Sequence, residues 1–75
     1  MKHKVKIDKV RSVVYVYDEN WNFIEKWKFD VVYQERIFRI LLNPSQYLKN
    51  IDTDYWGSVG QKRFKQAKSE YLINN

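Results

Sequence analysis

Few residues in this chain have types and spacing suited to chemistry. It has one histidine, His3, set among lysines near the start, and no cysteine. A lone imidazole without thiolates cannot build the usual nitrogen and sulfur sphere of a transition metal. In a terminal segment expected to be mobile, His3 reads as an uninvolved surface side chain. Asp52 and Asp54 lie two apart beside Tyr55. Such a pair can hold Mg²⁺ or Ca²⁺, but the further ligands, central glycine and closing glutamate of a calcium loop are missing in register. Gly57 and Gly60, flanking Ser58 and Val59, are too sparse for a phosphate-cradling loop and read as a turn ahead of a helix. Ser45 and Ser58 have no histidine or lysine placed by sequence to act as their base. The expectation is a binding protein rather than an enzyme, with no metal and no cofactor.

What remains is basic and aromatic. The chain of 75 residues carries a net charge of +5, with three Trp, six Tyr and four Phe. Charge is uneven along it. Lys2, Lys4, Lys6, Lys9 and Arg11 stand against Asp8 alone in residues 1–11, and Lys62, Arg63, Lys65 and Lys68 against Glu70 alone in residues 60–75. Between them acidic residues outnumber basic ones. An acidic partner suits the basic ends, and solvated termini that keep a small domain soluble are the competing explanation.

Lysine and arginine neutralise phosphates, and exposed aromatic rings stack on unpaired bases at about 1–3 kcal/mol each. The segment from Gly60 to Lys68, with Gln61, Lys62, Arg63, Lys65 and Lys68, has the composition of a helix that lies on phosphates or enters a major groove. Trp21 is the least ordinary residue, because it stands among Asp18, Glu19, Asn20 and Asn22, types that make turns. A ring there either folds back onto the core or meets a partner.

Two functions follow. The first is a nucleic-acid-binding accessory or regulatory protein, DNA-binding by preference, that uses the basic C-terminal helix and the Lys-rich start (Lys4, Lys6, Lys62, Arg63, Lys65, Lys68, with Gln61). The second is a phage or mobile-element protein that binds and modulates a host protein through Trp21, Tyr15, Tyr17 and Trp56, residue types enriched at binding hot spots. An exposed strand edge suits a homodimer under either reading. The absence of cysteine and of any apolar run of membrane-spanning or signal-peptide length leads to the expectation of a soluble, cytoplasmic protein with no membrane partner.

The elements that must position these residues follow from periodicity. Length and the absence of a linker predict one small α+β domain over 1–75. The apolar run Val13 to Tyr17 predicts a strand, and Phe23 to about Phe29 a second that places Phe23, Trp27 and Phe29 on one face and Lys26 and Lys28 on the other. The two form a β-hairpin with Trp21 at its tip. Tyr33, Ile37, Ile40 and Leu41 predict a helix from Val31 to Leu42 capped by Asp30, with a third strand from Arg36 to Leu42 as the competing assignment. Asn43-Pro44 starts a short helix to about Asn50, residues 52–54 form a loop, and Ser58 to Ile73 forms a last, basic and amphipathic helix with Phe64, Ala67 and Tyr71 on one stripe. The predicted architecture is the hairpin, or a three-stranded antiparallel sheet, packed on two or three helices. The expected core is Val14, Val16, Trp27, Phe29, Ile37, Leu41, Leu48, Phe64 and Tyr71.

Overall fold

A computed structural model of the chain describes residues 2–48 and 55–71. It is an α+β fold. Four antiparallel strands, β1 (Lys2–Asp8), β2 (Val13–Tyr17), β3 (Phe23–Lys28) and β4 (Tyr55–Gly60), lie in the order β3-β2-β1-β4. A 3₁₀ turn at Val31–Tyr33 leads into helix α1 (Gln34–Leu41), followed by α2 (Pro44–Tyr47) and α3 (Gln61–Tyr71).

The hairpin of β2 and β3 forms as its residue types require, and helical structure, not a third hairpin strand, follows Phe29. Asp30 accepts a hydrogen bond from the Val32 N–H and so caps the 3₁₀ turn. Asn43 and Gln46 form a capping box around Pro44 at the start of α2, which satisfies donors that a helix start leaves unpaired.

Two strands differ from expectation. The Lys-rich start is not a mobile tail: β1 is a central strand, paired with β2 on one side and β4 on the other. Its signal is the alternation Lys2-His3-Lys4-Val5-Lys6-Ile7, which buries every second residue. Lysine is a poor strand former, but here its ammonium groups face outward while His3, Val5 and Ile7 enter the core. The last helix begins at Gln61 rather than Ser58, because Tyr55 to Gly60 extends the sheet as its edge strand. Gly57 therefore lies within a strand. A Cβ there would sit 2.7 Å from Leu42 Cδ2, so the missing side chain makes room for a buried leucine.

The helices cover one face of the sheet. His3, Val5, Ile7, Val14, Val16, Trp27 and Val59 meet Phe29, Ile37, Phe38, Leu41, Leu42, Phe64 and Ala67 in the core. His3 is 9% exposed and stacks on Phe64 at 4.8 Å, so it is an interior residue rather than a surface one. Leu48 is 72% exposed and belongs to no core, because α2 stops at Tyr47, one residue before it. Tyr71 packs on the core margin. Phe23 leaves the face of Trp27 and Phe29. The β2–β3 register shifts between Val16 and Tyr17, so that Phe23 rather than Ile24 pairs with Tyr17, and the irregularity turns Phe23 outward. No helix among the described residues is long and apolar enough to cross a membrane. Asp52, Thr53 and Asp54, and the predicted helix ends at Asn50 and Ile73, lie outside the described residues.

Candidate functional site

Helices on one side leave the other side of the sheet open. An antiparallel sheet tolerates this when its outer residues are polar, and the outer residues of β1 are Lys2, Lys4 and Lys6. Their cross-strand neighbours are aromatic. Lys4 pairs with Tyr17 on β2 and with Ser58 on β4, while Lys6 pairs with Tyr15 and Trp56. Tyr15 in turn faces Lys26, and Val13 faces Lys28. The period of two thus brings Lys4, Lys6, Tyr15, Tyr17 and Trp56 onto one surface from three strands.

Trp21 joins them from the β2–β3 turn. Its φ of 64° lies in the left-handed region, which a bulky side chain enters only when its surroundings hold it there. The Asp18 carboxylate does so by accepting from the backbone N–H of Asn20 at 2.8 Å, the backbone N–H of Asn22 at 2.9 Å and Asn22 Nδ2 at 3.0 Å. The Asp18 N–H also donates to the Asn22 carbonyl at 2.9 Å, and the Trp21 N–H to the Asp18 carbonyl at 3.2 Å. Hydrogen bonds from Asn22, first from its backbone and then from its side chain, hold the Asp18 carboxyl below the usual carboxylate range.

The turn swings the Trp21 indole back over the open face, not into the core. Its ring meets Trp56 edge-on at 4.4 Å and Tyr17 at 5.7 Å, and Tyr17 contacts Trp56 at 5.5 Å and Phe23 at 5.9 Å. Trp21 and Trp56 stay 45% and 44% exposed. The lysines interleave with the rings: Lys4 Nζ lies 4.5 Å from the Trp21 ring centre, and Lys6 Nζ lies 5.6 Å from Tyr15 and 5.5 Å from Trp56. Ring quadrupoles offset part of the repulsion among like charges spaced two residues apart.

Carboxylates border this face: Asp18 in the turn lies within electrostatic reach of Lys4, and Asp8 follows Lys4 and Lys6 in the alternation of β1. Asp8 is buried at its end and accepts from the Arg11 backbone N–H at 3.0 Å and from Arg11 Nη1 at 2.8 Å. Those bonds hold its carboxyl low. Glu25 points to the helix side and pairs with Lys68 at 2.8 Å. The platform combines lysines with aromatic rings and has a groove of ≈ 440 Å³ at one end between Trp21, Trp56, Lys4, Ser58, Asn43 and Gln46.

The other nominated residues lie elsewhere. Gln61, Lys62, Arg63, Lys65 and Lys68 are on α3, across the sheet from the platform. Arg63 Nη2 donates to the Arg39 carbonyl at 3.0 Å, and Lys68 holds Glu25, so both brace α3 against its neighbours. Lys62 and Lys65 are exposed and form no ring contact among the described residues. The structure therefore regroups the residues: the N-terminal lysines stand with the aromatics and apart from the basic helix. Phe23 and Ser58 join this face, although periodicity places Phe23 with Trp27 and Ser58 at the start of the last helix. The Lys-apolar alternation of β1 and the Tyr-Trp-Gly-Ser-Val stretch of β4 carried the signal.

No three His, Asp or Glu side chains converge among the described residues. Comparison of the chain with protein-family models, with curated proteins and with solved structures finds no match.

Proposed function

We propose that the protein is a non-enzymatic, single-stranded nucleic-acid-binding accessory protein that works through the open face of its sheet. The observation that carries this reading is the interleaving of Lys4 and Lys6 with Tyr15, Tyr17, Trp21 and Trp56 on a face the helices leave bare. Rings stack on unpaired bases whatever the sequence, and ammonium groups between them meet the phosphates that link those bases. A duplex hides its base faces and offers the platform phosphates alone. This favours a single strand over the major-groove contact that the composition of α3 suggests. A cysteine-free chain suits a cytoplasmic setting, where such strands occur.

The test is fluorescence anisotropy of labelled single- and double-stranded oligonucleotides from low to physiological salt. Single strands bind more tightly than duplex of equal charge, with log affinity falling linearly with log salt. Equal binding of both forms, or an affinity indifferent to salt, overturns the reading. In the latter case the same rings would serve as a hot-spot cluster for a host-protein partner.

A further inference from the structure

Beside the Trp21–Trp56 pair, the platform ends in a groove whose far wall is polar, formed by Asn43, Gln46, Ser58 and Lys4. A base stacked on an indole presents its edge sideways, and that wall is what such an edge meets. The hydrogen-bonding character of the wall is fixed by the capping box. Gln46 Oε1 accepts from the Asn43 N–H at 3.1 Å, and the Gln46 backbone N–H donates to the Asn43 carbonyl at 2.8 Å. The Gln46 amide thus has its oxygen engaged on the backbone and its NH₂ group left for the groove, which it lines. The Lys4 ammonium is also a pure donor, while the Ser58 hydroxyl and the Asn43 amide can act either way. A wall with these donors matches a base edge with adjacent acceptors.

Cytosine offers N3 and O2 side by side, and guanine offers O6 and N7. Adenine has an amino donor flanking its N1 and N7 acceptors, so one of its edge groups meets a donor and stays unpaired. We infer that the groove is a base-reading subsite on the single-strand platform, one that prefers cytosine or guanine to adenine. The inference rests on the single-strand reading above and adds selectivity to a surface whose stacking is otherwise indifferent to sequence.

The experiment compares oligodeoxycytidylate and oligodeoxyadenylate of equal length at neutral pH, by anisotropy, for the wild type, Gln46→Glu and Gln46→Met. Gln46→Glu keeps an oxygen to cap Asn43 but replaces the outward donor with an acceptor. Gln46→Met removes the donor without adding charge. Thermal melts check that each variant is folded. The wild type prefers the cytidylate by about tenfold, the scale of one good base-edge pairing. Both variants lose that ratio, and Gln46→Glu also weakens both ligands through its charge. A preference that survives both substitutions comes from strand stiffness rather than from the groove and overturns the inference, as does salt-sensitive binding with no preference in the wild type. The platform reading stands in both cases. Absence of binding to either oligomer at low salt removes both readings together.

Discussion

The protein has two basic surfaces of similar charge and different surroundings. On the open sheet face, Lys4 and Lys6 lie over aromatic rings drawn from β2, β4 and the β2–β3 turn. On α3, Arg63 and Lys68 are turned to the Arg39 carbonyl and the Glu25 carboxylate, and Lys62 and Lys65 face solvent. A count of charges ranks the two alike. What separates them is the company each cation keeps: Lys4 and Lys6 lie beside exposed rings, so charge and stacking surface are offered together, whereas Lys62 and Lys65 have no ring contact among the described residues.

The comparison is broken or sharpened first by paired substitutions. Trp21→Ala with Trp56→Ala removes two stacking rings and lowers single-strand affinity by about a hundredfold, at about 1–3 kcal/mol per base. Lys62→Ala with Lys65→Ala changes it by less than about threefold, from the long-range charge alone. Anisotropy titration of both doubles decides the matter, and a larger loss from the α3 pair reverses the assignment. On the covered face, Gly57→Ala drives a Cβ into Leu42 and destabilises the fold by about 1–3 kcal/mol, read from denaturant midpoints.

Asp18→Ala comes next. It removes three hydrogen bonds from the turn that holds Trp21 in the left-handed region, and single-strand affinity falls about tenfold with little change in helical circular dichroism. The same carboxylate sets a pH dependence. Its pKa is lowered in the folded state, so the stability it contributes is present above the unfolded carboxylate value of about 4 and is lost as pH falls through the lower folded value. Asp8, held by Arg11, follows the same sign. The tryptophan fluorescence of the wild type therefore stays constant from neutral pH to about pH 5 and changes only below about pH 4. In Asp18→Ala that change is diminished.

The smallest effect is the most diagnostic. Lys4→Ala costs about threefold in affinity and reduces the salt slope by about 0.7 for a single strand. Lys62→Ala leaves the slope unchanged. A shared reduction means that both surfaces track the same backbone.

By itself, the sequence determined the elements whose signals are local. The hairpin of β2 and β3, the helix after Asp30, the capped start at Asn43-Pro44 and the Phe64, Ala67 stripe all follow from periodicity, capping and turn chemistry within a few residues. The sequence also supplied Lys4, Lys6, Tyr15, Tyr17, Trp21 and Trp56, because lysine and aromatic side chains are conspicuous in composition, but not Phe23, Ser58 or the groove residues Asn43 and Gln46. Tertiary structure alone decided how they were grouped. β1 and β4 are stabilised by pairing with strands distant in the chain, and their lysine and glycine content argues locally against a strand. Once they pair, alternation sends Lys4, Lys6 and Trp56 to the face where Tyr15 and Tyr17 already lie. A one-residue irregularity sends Phe23 after them. The side of a sheet that a residue occupies is a property of register, and register is settled by which face the helices bury.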